Sequence, residues 1–446
     1  MMNTQRFEML LGLYGDEPMT RIFSEQETIR SWLRVEVALA AAQADLGVVE
    51  PADAQAIAIA AKVDTIDRDR LWSETRTVGY PILSLVRQID AALPHAHRGR
   101  VHYGATTQDI MDSGLAVQLD AAAQRLGVLL GEFGDALAPL ARVHAGTVIA
   151  GRTHAMQAVP TTLGAKLATY LAELSRHRER LAAARTRAAV VSLFGAAGTS
   201  AAYGEHATPL RAAVAQRLGL STTEVAWHVS RDGLAEFGAV CSLLAGTCAR
   251  FAREVVDLSR TEIGEVAEAS GHHRGASSTM PQKANPIESE AVIGASITAG
   301  ALSSALFRIM EAGHERAAGE WQAEWQVLPQ LVCLSAAALR TATSITTGLQ
   351  VFPAAMLANL NADGGLVMAE AYMMSLAQRI GREQAHDIVY LAAARCRSTG
   401  EALHSAIRAE LPADIADTVE ELTPESYLGR PRQAVEAALA LWHTCP

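Results

Sequence analysis

The sequence predicts an all-α fold with a bundle of long helices at its centre. Three observations predict it. Alanine-rich runs such as Val37-Ala38-Leu39-Ala40-Ala41-Ala42 and Leu181-Ala182-Ala183-Ala184-Arg185 favour helix, because alanine loses no side-chain entropy there. Alternating Val, Ile and Thr bounded by turn residues is scarce, so strands should be few and short. The longest amphipathic patterns exceed an average globular helix, and helices of that length must bury their apolar faces on other helices.

In chain order, the first pattern runs from Ser24 to Leu46 through Ile29, Trp32, Leu33, Val35, Ala38 and Leu39. Ser24 with Glu27 three residues on has the spacing of a capping box, and Gly47 followed by Pro51 stops the helix. Apolar periodicity predicts further helices over 52–62, 82–93, 107–133, 158–186, 234–263, 286–309, 321–347, 367–380, 382–399 and 431–443. The stretches 99–104 and 348–353 are candidate domain boundaries, dividing the chain into residues 1–103, 104–348 and 349–446. No short-period repeat and no low-complexity linker interrupts it.

Composition excludes several function classes. The 446 residues suffice for more than one domain, and half are hydrophobic. A net charge of −10 leaves no basic footprint for nucleic acid, although a few cations converging in a cleft can still bind anions. Cys241, Cys248, Cys333, Cys396 and Cys445 are dispersed without metal-ligand spacing, as expected of reduced structural thiols in a cytoplasmic protein. The N-terminus carries Glu8 and Asp16 and lacks the order of a signal peptide. No apolar run is expected to reach the length of a membrane span. His272 and His273 are adjacent, which suits a loop more than a chelate, so no metal site is expected.

The segment Ala276-Ser277-Ser278-Thr279-Met280-Pro281-Gln282-Lys283-Ala284-Asn285-Pro286 carries the most chemistry. It follows Gly271-His272-His273-Arg274-Gly275, which suits a mobile loop, and it leads into an apolar run that begins at Pro286. The reading is a polar loop feeding a helix N-terminus, whose N–H groups attract carboxylates. A hydroxyl to take a proton and a cation to hold a carboxylate are what an elimination beside a carboxylate needs.

This segment resembles the signature loop of the fumarase/aspartase superfamily, Gly-Ser-Ser-x-Met-Pro-x-Lys-x-Asn-Pro, with Ala276 in place of the first glycine. A second stretch, Gly151-Arg152-Thr153-His154-Ala155-Met156-Gln157-Ala158-Val159-Pro160, resembles the superfamily's Gly-Arg-Thr-His region. A third, His102-Tyr103-Gly104-Ala105-Thr106-Thr107-Gln108-Asp109, resembles its first conserved region. Near-neutral titration lets a histidine protonate a leaving group. The paired threonines lead into a helix near Asp109, where hydroxyls and N–H groups point the same way.

The resemblance implies Ser277 as the base, His154 as the leaving-group acid, and Glu290, seven residues beyond Lys283, as the carboxylate that orients His154. It implies substrate contacts from Arg21, Thr106, Thr107, Gln108, Thr153, Gln157, Ser278, Met280, Lys283, Asn285 and Arg316. The His314-Glu315-Arg316 motif looks like a feature of the adenylosuccinate lyase and carboxymuconate cycloisomerase branches. Trp321-Gln322-Ala323-Glu324-Trp325, Gly79-Tyr80-Pro81 and the stretch around Arg21 look like the cycloisomerase branch, whereas a retained His154 is more typical of enzymes that expel an amine or hydroxyl.

The implied protein is a cofactor-free lyase of three helical domains, whose central bundle forms the core of a homotetramer with active sites shared between subunits. Its expected reaction is β-elimination from a small di- or tricarboxylate through an aci-carboxylate. C–N cleavage of an N-substituted aspartate to fumarate and an amine is the first form. Lactonisation of a carboxymuconate is the alternative, and a non-catalytic crystallin-like scaffold is a third.

Overall fold

The structure, a computed structural model, describes residues 9–272 and 274–444. Glu8, His273 and Cys445 lie outside them. The chain is 69% helical, as an all-α fold requires. Among the described residues, strands form only two small antiparallel pairs, β1 (Val148–Thr153) with β2 (Met156–Thr162), and Val266–Ala267 with Gln350–Val351.

The chain divides into two compact units. One takes the chain up to Leu130 with His177–Cys248 and Ala291–Arg340; the other takes Gly131–Arg176, Ala249–Glu290 and the chain from Thr341. The long helices Thr107–Val143, Leu163–Ala188, Asp232–Leu258, Ile287–Ile309 and Glu320–Gly348 contribute residues to both.

In the first unit, Glu25–Asp45, Pro51–Ala60, Arg68–Val78, Ile82–Ala92 and Ala207–Leu218 enclose a core that includes Ile29, Val35, Ile57, Leu71 and Leu85. Ser24 Oγ accepts the Glu27 N–H at 3.3 Å, but the Glu27 carboxylate turns to Arg30, so half of the capping box forms. Gly47 follows this helix at φ +71°, where a side chain would be strained. Gly238 lets long helices approach closely: a Cβ there would strike Leu306 and Leu331. In the second unit, Phe251 packs against Phe133 and Tyr170, each at 5.6 Å between ring centroids. A second core there gathers Ala150, Leu360, Tyr372, Ile388 and Ile407.

Several boundaries differ from the sequence reading. The stretch 158–186 begins as strand: β2 runs to Thr162 and the helix spans Leu163–Ala188. Val159, Thr161 and Thr162 are β-branched or strand-compatible, and pairing with β1 satisfies their backbone. The helix expected to end at Phe133 continues to Val143 through Pro139. Tertiary packing overrides the local breakers there, because Trp442 lies over Gly134 and donates its indole N–H to Asp135 at 2.8 Å. Asp232–Leu258 ends five residues before its expected limit at Ile263, and Gly264 takes φ +57°. Two helices, Asp232–Leu258 and Ile287–Ile309, are long and apolar enough to cross a membrane by length and composition, against the expectation that no run would be. The first has 67% of its most apolar stretch buried within the chain, as a core helix does.

Candidate active site

The signature loop is held closed at its neck. The Gly275 carbonyl accepts both the Asn285 backbone N–H at 2.9 Å and its side-chain Nδ2 at 3.0 Å, and Ala276 bridges Ala284. Gly275 sits at φ +66° with its Cα against the Asn285 backbone. The freedom that the loop lacks at Ala276 is therefore supplied one residue earlier. Gly275→Ala combines left-handed strain with a collision against the Asn285 carbonyl. It is expected to cost on the order of a hundredfold in kcat by misplacing the loop. Tm should fall by only about 1–2 °C, because the strain stays local. An active Gly275→Ala enzyme would show that the neck does not aim the loop.

Inside this neck, Ser277 Oγ accepts the backbone N–H groups of Thr279 at 3.3 Å and Met280 at 3.2 Å. Ser277 is half-buried, whereas Ser278, Met280 and Lys283 are exposed. Lys283 makes no side-chain ion pair among the described residues. A hydroxyl oxygen that receives two N–H dipoles is in a field that favours its alkoxide.

The helix that follows differs from its sequence reading in one respect. Its N-terminal N–H groups are already occupied. Glu268 accepts from Glu288 N at 3.2 Å, from Ser289 N at 2.7 Å and from Ser289 Oγ at 2.7 Å. A buried helix start needs an acceptor, and the chain supplies its own carboxylate. Arg274 pairs with Glu288 at 2.8 Å, and Ser344 Oγ donates to Glu288 at 2.9 Å, which pins the same corner. Glu290 points out and is exposed.

His154 lies at the tip of the β1–β2 hairpin rather than at the end of a long helix. Thr153 pairs with Met156, so His154 and Ala155 form the two-residue turn, at φ +50° and +66°. Turns of this kind favour Asn-Gly, so a histidine and an alanine here are strained. Strain of this sort persists when the surrounding structure holds it. The strand pair next to the turn, Arg152 opposite Gln157, is tied down from outside the hairpin. Arg152 forms a two-point ion pair with the buried Glu265 at 2.9 and 2.7 Å. Asn359 Nδ2 donates to the same carboxylate at 2.9 Å, and Gln157 Nε2 donates to the Asn359 carbonyl at 3.0 Å. Thr153 and His154 are exposed, and Gln157 is half-buried. Among the described residues, His154 and Glu290 make no hydrogen bond or ion pair with each other within one chain.

The first motif assembles around Arg316, in the first unit. Arg316 Nε donates to Gln108 Oε1 at 2.9 Å, and Nη2 donates to Thr106 Oγ1 at 3.4 Å and to the Ala196 carbonyl at 3.1 Å. Nη1 is left without a partner among the described residues, so the guanidinium keeps an edge for a carboxylate. Gln108 is fully buried, and its Nε2 donates to Asp112 at 3.2 Å and to the His228 carbonyl at 2.8 Å. In this conformation its amide serves Arg316 and leaves no face for a ligand. Asp109 accepts the N–H groups of Thr106, Phe194 and Gly195 and a hydrogen bond from His228, which fixes the turn before the helix. Thr107 is half-buried in the first helical turn. Arg21 is exposed and pairs with Glu17 at 2.7 Å.

His102, at φ +63°, pairs with the buried Glu36 at 2.7 Å. Burial works against its charge, but the Glu36 carboxylate outweighs that and holds the His102 pKa above the ordinary value.

The sequence reading missed Glu268, Glu265 and Arg231. Arg231 is buried between Asp112 (2.8 and 3.1 Å) and Glu324 (2.9 and 2.5 Å). Burial opposes the Arg231 charge, and its two carboxylates more than offset this. Two carboxylates share one guanidinium, so burial pushes the Glu324 carboxyl above its usual range. Cys241, Cys248, Cys333 and Cys396 are all buried, and burial pushes the Cys241 thiol up. No cluster of three or more His, Cys, Asp or Glu side chains able to hold a metal occurs among the described residues.

Residues 14–299 match the family model described as Lyase, and residues 365–438 match the one described as Adenylosuccinate lyase C-terminus. The chain is 43% identical to a 3-carboxy-cis,cis-muconate cycloisomerase of Pseudomonas aeruginosa, over 96% of this chain and 94% of that one. It is 34% identical to an N-acetyl-S-(2-succino)cysteine lyase of Dickeya dadantii, over 97% and 96%. Its structure resembles the crystal structure of the 3-carboxy-cis,cis-muconate lactonizing enzyme of Pseudomonas putida with a TM-score of 0.89 at 38% identity, covering 98% and 99% of the two chains.

Proposed function

Because the chain belongs to the fumarase/aspartase superfamily of lyases, we propose that it catalyses β-elimination from a di- or tricarboxylate, C–N cleavage of an N-substituted aspartate to fumarate and an amine. The observation that carries this reading is Ser277 Oγ under the N–H groups of Thr279 and Met280. The Ser277 alkoxide takes the proton from the carbon beside one carboxylate. The electron pair moves into that carboxylate as a dianionic aci form, which Lys283 and the loop N–H groups stabilise. The pair then returns to form the fumarate double bond, the C–N bond breaks, and His154 gives its proton to the departing nitrogen. Arg316, set by Gln108 and Thr106, binds the second carboxylate. The reactive side chains Ser277, Lys283, His154 and Glu290 are all intact, which weighs against a scaffold without activity.

A second reading, lactonisation of a carboxymuconate, is favoured by the 43% identity to a cycloisomerase and by the Trp321–Trp325 and Gly79–Pro81 motifs. Two assays on the same enzyme separate them. N-substituted aspartates should yield fumarate, read by its ultraviolet absorbance. Lactone from carboxymuconate with no fumarate from any aspartate adduct would overturn the C–N reading.

The catalytic groups are proposed to meet across copies of the chain in a homotetramer. The helix Ile287–Ile309 supports this: only 33% of its most apolar stretch is buried within one chain, and Ile297 and Phe307 are 64% and 52% exposed. An apolar helix left open in this way fits a face covered by a second copy. That His154 and Glu290 make no hydrogen bond or ion pair with each other within one chain, among the described residues, fits too. Inactive Ser277→Ala and His154→Asn variants, dissociated and reassembled together, should regain part of the activity. No recovery in tetramers shown to be mixed would sink the shared site.

A further inference from the structure

Two sequence motifs that the reaction above leaves unused meet in the first unit. Tyr80, of Gly79-Tyr80-Pro81, stacks on Trp321 at 5.6 Å and 23° and meets Trp325 edge-on at 6.2 Å. Trp321 and Trp325 in turn pack edge to face at 5.0 Å. This aromatic wall borders a cavity of about 620 Å³, within the range of small-molecule sites. Four of the chain's six tryptophans line it: Trp32, Trp72, Trp321 and Trp325. The Trp72 indole N–H donates to Glu25, which fixes that ring.

The charges that line the cavity have one sign. They are the carboxylates of Glu25, Asp112 and Glu324; no lysine, arginine or histidine lines it. Arg231, 3% exposed, is held between Asp112 and Glu324, and Arg68 lies 3.5 Å from Glu25, whose side chain is 45% exposed. Aromatic faces lined by carboxylates and by no cation attract organic cations and disfavour carboxylates. The cavity also adjoins the carboxylate receptor, because Gln108 accepts from Arg316 on one side and donates to Asp112, in the cavity wall, on the other.

We infer that this cavity binds the amine side of the substrate, an aryl- or alkyl-ammonium group, while Arg316 holds a carboxylate of the same molecule. The inference rests on the C–N reading for its place in the reaction, but its binding chemistry can be tested alone. The probes are benzylammonium and benzoate, which match in shape and differ in charge. Benzylammonium should quench the intrinsic tryptophan fluorescence saturably and bind at least about tenfold more tightly than benzoate. Trp325→Leu, at the half-open edge, should weaken benzylammonium by a similar factor. Equal affinity for the two probes, or no saturable quenching by benzylammonium, would overturn the inference. N-benzylaspartate and N-methylaspartate complete the test. The cavity should give the benzyl substrate the lower KM, a difference that Trp325→Leu should erase. If neither aspartate yields fumarate while benzylammonium still binds selectively, the reaction is wrong and the cavity stands. If both turn over with equal KM and benzylammonium fails to bind, the cavity is wrong and the reaction stands.

Discussion

Ser277→Ala is expected to lower kcat by roughly a hundredfold to ten-thousandfold while leaving KM nearly unchanged. The variant removes the oxygen that the N–H groups of Thr279 and Met280 address, and it removes no group that holds a carboxylate. Lys283 and Arg316 keep their charges, so the ground state still binds. The effect should appear as a loss in the proton-transfer step, with slowed exchange of the substrate C–H proton into solvent. Ser278→Ala supplies the contrast: its side chain is exposed and accepts neither of those N–H bonds, so its loss should be much smaller. A Ser277→Ala enzyme with near-parental kcat would remove Ser277 from the chemistry.

Arg231→Met is expected to produce the largest loss of stability of any single substitution considered, about 3–5 kcal/mol. Methionine fills the space but leaves two buried carboxylates facing each other. Asp112 would keep the Gln108 and Trp321 donors at 3.2 and 3.3 Å, while Glu324 would lose both of its bonds to Arg231. For a protein of this size the fall in Tm is about 3–5 °C. The sign of its pH dependence follows from the carboxyls. Burial raises the folded-state pKa of Glu324 above its unfolded value, so folding favours its protonated form. The penalty is absent below the ordinary glutamate value of 4.5 and grows as pH rises through the elevated folded value. The Tm gap between parent and variant should therefore be widest at neutral pH and narrow towards pH 4.5. Arg231→Met/Glu324→Gln should recover part of the loss at neutral pH. A gap that does not change with pH would mean that packing, not buried charge, sets the cost.

What could be read from the sequence depended on how far apart interacting residues lie. The signature loop was legible because its hydroxyls, lysine and prolines are contiguous, and the structure keeps them in one closed loop. The long helices were legible from periodicity, and their all-α consequence holds. The hairpin was not, because the short β-branched run Val159–Thr162 abuts an alanine- and leucine-rich helix that absorbed it. The helix end near Val143 was hidden because the packing at Gly134 comes from Trp442, 308 residues further on (442 − 134), and Pro139 is carried inside the helix. Arg231 looked like any surface arginine. Its partners stand 119 and 93 residues away, and no local pattern announces such a pairing. Gln108 was read as a ligand contact because the resemblance of its motif to the first conserved region implies one. Only the structure reveals that both ends of its amide are spent inside the chain.

Glu268 bears on how inhibitors of this enzyme should be drawn. A designer who saw only a serine-rich loop feeding a helix would extend a ligand acid toward the helix start, counting on the dipole. That position is held by an internal competitor tethered at effectively permanent concentration, with three hydrogen bonds of its own to surrender. Acidic groups gain more when directed at Lys283, which makes no ion pair among the described residues, and at the open edge of Arg316, and the helix start is better left alone.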